Sequence, residues 1–211
     1  MIIIAIDGPA AAGKGTLAKR LALTLKLPYL DTGLLYRATA KRVLEAGADP
    51  ADELAAVTAA LELSDADTAR DDLRDTATSK AASLVSAIPA VRQTLLAYQR
   101  SYGSAKGAVL DGRDIGTVIF PHADVKLFVT ASAEARANRR HQESLARGEK
   151  LSLNDVLADV LARDEADRTR AAAPLVAAED AVLIDTTSMN ADEAYEHALK
   201  IIKARTSKRS F

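Results

Sequence analysis

The chain has no cysteine and no tryptophan. Without cysteine there is no disulfide scaffold, no thiol nucleophile and no thiolate metal centre. Aromatic residues make up only 4% of the 211 positions, and neither charge sign dominates. Lys and Arg total 28 against 29 Asp and Glu, a formal net charge of −1. A chain so balanced and so poor in aromatics lacks the basic footprint of a nucleic-acid or membrane-surface protein. No apolar run approaches the ~18 residues that span a bilayer, and the N-terminus lacks the basic-then-apolar order of a signal peptide. His122, His141 and His197 lie without metal-ligand spacing and read as surface or structural residues. The expectation is a cytoplasmic monomer that binds no nucleic acid and no membrane.

What is present is concentrated near the start. Met1-Ile2-Ile3-Ile4-Ala5-Ile6-Asp7 leads into Gly8-Pro9-Ala10-Ala11-Ala12-Gly13-Lys14-Gly15-Thr16. A buried strand, a glycine-rich loop and a helix start, in that order, form a phosphate cradle (P-loop). Gly8 and Gly13 let the loop fold back so that successive N–H groups face one centre at a helix N-terminus. Lys14 adds a mobile cation for phosphates on which charge builds during transfer. The usual pattern has Ser or Thr directly after the lysine; here Gly15 intervenes before Thr16. That variant favours small phosphoryl-transfer kinases over GTPases and motors.

Three further apolar runs, residues 108–110, 125–129 and 181–184, match the first run at residues 2–6. They are short and nearly continuous, as suits strands buried on both faces of a parallel sheet; Lys126 alone interrupts them. Helical patterns cover about residues 14–26, 34–46, 51–62, 79–102, 132–147, 152–170 and 190–204. The alternation predicts a doubly wound α/β fold with right-handed crossovers and a ligand crevice beyond the strands' carboxyl ends. The 211 residues read as one domain with a core (about 1–31, 96–138 and 171–211), a helical region (about 32–95) and a charge-dense region (about 139–170). The last two look like insertions that cover a site rather than build a core. The basic tail from Lys203 to Arg209 reads as a frayed end.

Outside the phosphate loop, three clusters carry chemistry. Asp111-Gly112-Arg113-Asp114 follows the strand at 108–110. Asp111 is the metal-side candidate, since Mg²⁺ takes one or two carboxylates and keeps several waters; alternatively it caps the next turn. Asp7 stands between the same two roles. Arg113 and Asp114 face the crevice and suit a second substrate. In the second cluster, Leu30-Asp31-Thr32-Gly33 with Tyr36-Arg37, Thr32 is placed to cap the following helix. Arg37, one turn on, either reaches back to a phosphate or is a solvated helical arginine. The third cluster is Arg163-Asp164-Glu165-Ala166-Asp167-Arg168-Thr169-Arg170. Positions 163, 167 and 170 share one helical face, and Arg168 does not. This is either a phosphate clamp with an acid for a hydroxyl or an exposed ion-paired helix. Arg136, Arg139 and Arg140 crowd one sector of an earlier helix. No general base stands out near Arg37, which suits a phosphate acceptor, already nucleophilic, over a hydroxyl.

These segments together resemble the bacterial cytidylate kinases, over nearly the whole chain and in order. The Asp-Gly-Arg-Asp-x-Gly-Thr-Val stretch from Asp111 and the Arg-Asp-x-x-Asp-Arg-x-Arg stretch from Arg163 are the most specific parts. The resemblance implies a nucleoside monophosphate kinase fold, with residues 32–95 as the CMP-binding insert and 139–170 as a mobile lid. It implies transfer of the γ-phosphate of ATP to CMP or dCMP, with Mg²⁺ as cofactor. Gly8, Pro9, Ala10, Ala11, Ala12, Gly13, Lys14, Gly15 and Thr16 would hold ATP. Thr16 and Asp111 would hold the metal, directly or through water. Thr32, Ser83, Arg92, Arg113 and Asp114 would surround CMP, with Ser83, Arg92 and Asp114 on the cytosine ring. Arg37, Arg113, Arg163 and Arg170 would hold its phosphate and Asp167 its ribose hydroxyls. Arg139 would reach the transferring phosphates from the lid; Lys14, Arg139, Arg163 and Arg170 are the catalytic set. The family's usual insert before Ser83 is longer and holds a small antiparallel sheet; here residues 48–78 are acidic, Ala-rich and without a strand pair. A kinase of another small acceptor, such as shikimate, has no use for the Ser83, Arg92 and Asp114 set. A regulatory nucleotide switch would want Ser or Thr directly after Lys14.

Overall fold

Five parallel strands, in the order β2-β3-β1-β4-β5, form the single sheet of the computed structural model, which describes residues 1–207. The strands are β1 (Ile3–Asp7), β2 (Tyr29–Asp31), β3 (Ala108–Gly112), β4 (Val125–Thr130) and β5 (Val182–Asp185). Helix α1 (Lys14–Leu25) follows the phosphate loop, and α2 (Thr32–Glu45) starts directly where β2 ends. Then come α3 (Glu53–Leu61), α4 (Asp65–Thr68), a 3₁₀ turn (Asp71–Arg74), α5 (Thr76–Ala87) and α6 (Pro89–Lys106). One π-helical turn (Ile115–Ile119) follows β3. Helices α7 (Ala133–Ala146), α8 (Leu153–Thr169) and α9 (Ala191–Thr206) complete the chain.

The four apolar runs become β1, β3, β4 and β5, and all of β3 and most of β1 are buried. Lys126 is tolerated on β4 because its stem lies in the sheet while Nζ donates to Pro121 O (2.6 Å) and Asp180 Oδ1 (2.8 Å). Strand β2 is absent from the sequence reading: its three residues are all half-buried at the sheet edge. The helix expected over 79–102 is two helices. Proline disfavours the α conformation in the residue before it, and Ile88 is extended at ψ 115° while Pro89 opens α6 at its first turn. The tail expected to fray is helical as far as Thr206, which is buried, and Arg205 donates to Asp180 O; Lys208 and Arg209 lie outside the described residues.

The two regions taken as mere covers each build a core. Leu35, Tyr36, Val43, Val85, Val91 and Leu95, with the alanines of α3 and α5, form a cluster separate from the sheet cores. A smaller cluster joins Ala137 of α7 to Val156 and Val160 of α8. Residues 48–78 carry only α3, α4, the 3₁₀ turn and the start of α5. The chain leaves β1 toward the β2 edge and leaves β3 toward β4. The direction of winding therefore switches between β1 and β3, and the carboxyl ends of these strands open the crevice.

Candidate functional site

The donor side is the loop between β1 and α1. Gly8 holds φ 144°, and a Cβ there would lie 1.9 Å from Val129 O, so the turn accepts only glycine. Ala11 (φ 59°) and Gly13 (φ 87°) are left-handed, the conformation that turns successive N–H groups into an anion-binding concavity. Lys14 is buried and its Nζ donates to Pro9 O at 2.8 Å, across that concavity. Burial, then the charge of Arg113, pulls the Lys14 ammonium below its ordinary range, against Asp111, Asp31 and Asp7. An anion in the loop would relieve that penalty.

Asp111 ends β3 on the far side of Lys14. Burial raises its carboxyl, and Asp31 adds to this, while Lys14 and Arg113 oppose it. Tyr29 Oη donates a long bond to its Oδ1 (3.3 Å), and Oδ2 lies 3.6 Å from where a Gly15 side chain would begin. A buried carboxylate so weakly satisfied, beside the first turn of α1 where Thr16 is exposed, is a hard-oxygen donor set of the kind that Mg²⁺ takes. Asp7 is resolved in favour of capping. Its two oxygens accept from Ile115 N (2.8 Å) and Gly116 N (2.7 Å) and so fasten the π turn. Burial nonetheless lifts it to about 6, with those two amide bonds opposing.

The acceptor side lies beyond β3. Asp114 and Arg92 form a buried ion pair, and Arg92 also donates to Ser86 O (3.2 Å) and stacks over the Tyr36 ring (5.4 Å to the centroid). Ser83 is half-buried on α5, one turn before the Ile88–Pro89 break, and its carbonyl accepts from Ser86 Oγ. Thr32 does not cap α2 with its side chain: Asp31 is the N-cap, and Thr32 Oγ1 instead donates to Asp111 O at 2.8 Å. Asp31 is held outward by Arg74 at 2.7 Å.

Arginines dominate the remainder. Arg37 donates to Ser79 Oγ (2.6 Å) and Leu73 O (3.0 Å). Arg113 pairs with Asp167 (2.7 Å), whose other oxygen is 3.7 Å from Arg170. Arg170 also donates to Ala173 O (2.7 Å). Arg163 and Asp167 lie on α8 as expected, but the helix ends at Thr169 and Arg170 joins them as its extended C-cap rather than from a further helical turn; Arg168 points away to Glu165. Arg163 Nε and Arg170 Nη2 are buried with no hydrogen-bond partner. Burial lowers Arg37 to about 9, with Arg163, Arg74 and Arg140 adding to it. Burial lowers Arg163 to about 10, with Arg113 adding to it. A guanidinium does not deprotonate in a protein, so a bound anion would relieve the crowding.

Arg139 is fixed at the donor side: it donates to Thr186 Oγ1 (3.1 Å) and Thr186 O (2.6 Å), and Thr186 Oγ1 donates to Ala12 O (3.1 Å). The sequence does not single out Thr186, and it marks Arg136 only as one of three arginines in a sector with Arg139 and Arg140. Arg136 is buried and donates to Ala131 O, to Ala10 O of the phosphate loop and to Asp164. Its helical neighbours Arg139 and Arg140 mark the sector as charged, and nothing local distinguishes Arg136 as the buried one of the three. Asp185 turns back to cap Thr187 N and stays exposed.

Residues 4–204 match the family model described as Cytidylate kinase. The chain is 59% identical over 201 residues to the cytidylate kinase of Acidiphilium cryptum, covering 95% of each. It is 55% identical to that of Paramagnetospirillum magneticum, covering 96% of this chain and 98% of the relative. Among solved structures, the fold is similar to an uncharacterized protein from Eubacterium ventriosum (TM-score 0.56, 16% identity, 96% and 98% covered). It is also similar to TT1252 from Thermus thermophilus (TM-score 0.51, 24% identity, 100% and 98% covered).

Proposed function

The chain belongs to the cytidylate kinase family, and on that premise we propose how it transfers the γ-phosphate of ATP to CMP or dCMP. The products are ADP and CDP or dCDP. The observation that carries the reading is the pair of anion sites flanking the β1–β3 crevice: the phosphate loop with Lys14, and the under-compensated cluster of Arg37, Arg113, Arg163 and Arg170.

ATP lies along residues 8–16, its phosphates on the loop amides and on Lys14. Lys14 leaves Pro9 O for the β- and γ-phosphates, where a buried ammonium is worth most. Arg139 serves the donor phosphates from its seat on Thr186. Thr16 and Asp111 would hold Mg²⁺, directly or through water, and the ion would supply charge neutralisation on the ATP phosphates. The CMP phosphate replaces the missing partners of Arg163 and Arg170, with Arg37 and Arg113 beside them. Asp167 accepts from the ribose hydroxyls. Asp114 accepts from the exocyclic amine of cytosine, with Arg92 and Ser83 on the same ring, and Thr32 packs near the nucleotide. No side chain needs to remove a proton, because the acceptor phosphate is itself the nucleophile. Positioning and charge neutralisation supply the rate.

Residues 32–95 act as the CMP-binding region and residues 139–170 as a lid that closes on the phosphates. The enzyme works as a cytoplasmic monomer and needs neither nucleic acid nor membrane. No helix of the described residues is long and apolar enough to cross a bilayer.

The test is ADP formation in the presence of ATP and Mg²⁺ with CMP, dCMP, UMP, AMP, GMP and shikimate offered separately. Turnover concentrated on CMP and dCMP is expected. Equal turnover of UMP would remove the role given to Asp114, and no turnover with any acceptor would remove the kinase reading.

A further inference from the structure

Arg136 joins segments that meet only in the folded chain. Its side chain is 5% exposed. Nε donates to Ala131 O (2.9 Å), at the exit of β4. Nη1 donates to Ala10 O (3.3 Å), in the phosphate loop, and to Asp164 Oδ1 (2.9 Å); Nη2 donates to Asp164 Oδ2 (2.5 Å). Asp164 sits on α8 next to Arg163 and three residues before Asp167. One guanidinium therefore bonds the phosphate loop through Nη1 and the helix of acceptor-side arginines through Nη1 and Nη2 together. The planar fork is what permits this, since an ammonium cannot present two parallel donors to a carboxylate and a third to a carbonyl in a fixed plane.

We propose that Arg136, with Asp164, is a positioning residue that holds α8 in register with the phosphate loop and so sets the separation of the donor and acceptor phosphates. The proposal rests on the kinase reading for its catalytic consequence, but not for the geometry. In-line transfer is steep in distance: a misplacement of about 1 Å can cost ~100-fold in rate. Neither Arg136 nor Asp164 needs to touch a substrate. Each substrate's own contacts lie on one side of the link, so breaking the link leaves both binary affinities largely intact.

The experiment compares Arg136→Met, Arg136→Lys, Asp164→Ala and the Arg136→Met/Asp164→Ala double variant. Measured are kcat, both KM values, the binary Kd of CMP and of ATP, and melting temperature. A kcat loss of about 100-fold is expected in each single variant, with each Kd within about 3-fold. Lysine should fail to rescue, and the double variant should be no slower than the worse single, since the two residues act as one unit. A loss confined to KM, full rescue by lysine, or additive losses would overturn the proposal. Should Arg136→Met not fold, Asp164→Ala carries the same comparison, because Asp164 is a quarter exposed. Amide hydrogen exchange reads the link without turnover. Breaking it should speed exchange in both residues 8–14 and residues 153–169. Exchange unchanged in either segment would overturn the proposal, whereas an inactive wild-type enzyme with a normal exchange response would overturn only the kinase reading.

Discussion

Replacing Asp114 with asparagine changes one charge and almost no volume. Asp114 is 6% exposed in its side chain and pairs with Arg92, itself 10% exposed. In the proposed complex, its carboxylate accepts from the cytosine amine. A hydrogen bond to a charged group is worth about 1.5–3 kcal/mol, which converts to roughly 10- to 150-fold in kcat/KM. Asp114→Asn should therefore lower kcat/KM for CMP by about that factor. UMP should gain relative to CMP, since the new amide can donate to the uracil carbonyl. The phosphate loop is untouched, so KM for ATP should stay within about 2-fold. Arg92 keeps Ser86 O and the Tyr36 ring, so the variant should fold. The assay is coupled ADP formation with each nucleotide varied at saturating co-substrate. Equal losses for ATP and CMP, or an unchanged CMP-to-UMP ratio, would refute the base-reading role.

Lys14→Met should cut kcat by about 100- to 1,000-fold, the scale of one lost electrostatic donor to transition-state charge, while CMP binding measured by calorimetry is retained. Gly8→Ala should abolish ATP binding, followed with a fluorescent nucleotide, because its Cβ would lie 1.9 Å from Val129 O. Asp7 has a folded value of about 6, above its ordinary range, so the folded state binds more protons between about pH 4 and 6. Its contribution to stability is full below that window and is lost as pH rises through 6, by up to about 3 kcal/mol. Urea unfolding from pH 4 to 7 should show that fall, flattened in Asp7→Asn. CMP at 100-fold its Kd should stabilise the protein by about 2.7 kcal/mol, or roughly 5–10 °C in Tm for a chain of this size. Cytidine, which leaves Arg163 and Arg170 uncompensated, should do markedly less; an equal shift would remove the phosphate cluster from the binding account.

The legible parts of this chain are those whose cause is local. The phosphate loop declares itself because strand, glycine spacing and lysine all lie within residues 2–16. Strands β1, β3 and β4 are legible because a parallel strand buried on both faces is almost continuously apolar, Lys126 apart; β5 is legible from its apolar run alone, since at the other sheet edge only Ile184 of it is buried. Strand β2 lacks that mark: Tyr29, Leu30 and Asp31 form an edge, one face partly solvated and one end aimed at the site. The core of residues 32–95 was hidden by its own chemistry. Its helices meet through Ala56, Ala59, Ala60, Ala81 and Ala82, and alanine marks a buried face only faintly because it also sits readily on a solvated one. The Ile88–Pro89 break is readable from proline sterics alone, which divide the single helix expected over 79–102 into α5 and α6.

The site divides in the same way. The nearness of Arg163 and Asp167 follows from helical spacing, so it was visible before any fold was known, while Arg170 reaches Asp167 from the extended C-cap of the same helix. What spacing cannot supply is which partner each charge finds. Asp7 had two open roles until the π turn 108 residues later placed two amides on its oxygens. Arg136 and Asp164 are 28 residues apart and on different helices, and nothing in either helix's own pattern favours the pairing. The common feature is that these groups are buried, where an unsatisfied charge is costly enough that the fold must bring a partner from elsewhere in the chain. The same reasoning runs in reverse for Arg163 and Arg170. Each has a buried nitrogen left without a partner, whereas Asp7 and Arg136 find theirs from distant parts of the chain. A site that satisfies Asp7 and Arg136, yet leaves Arg163 and Arg170 short, fits the proposed role of taking its last partner, an anion, from solution.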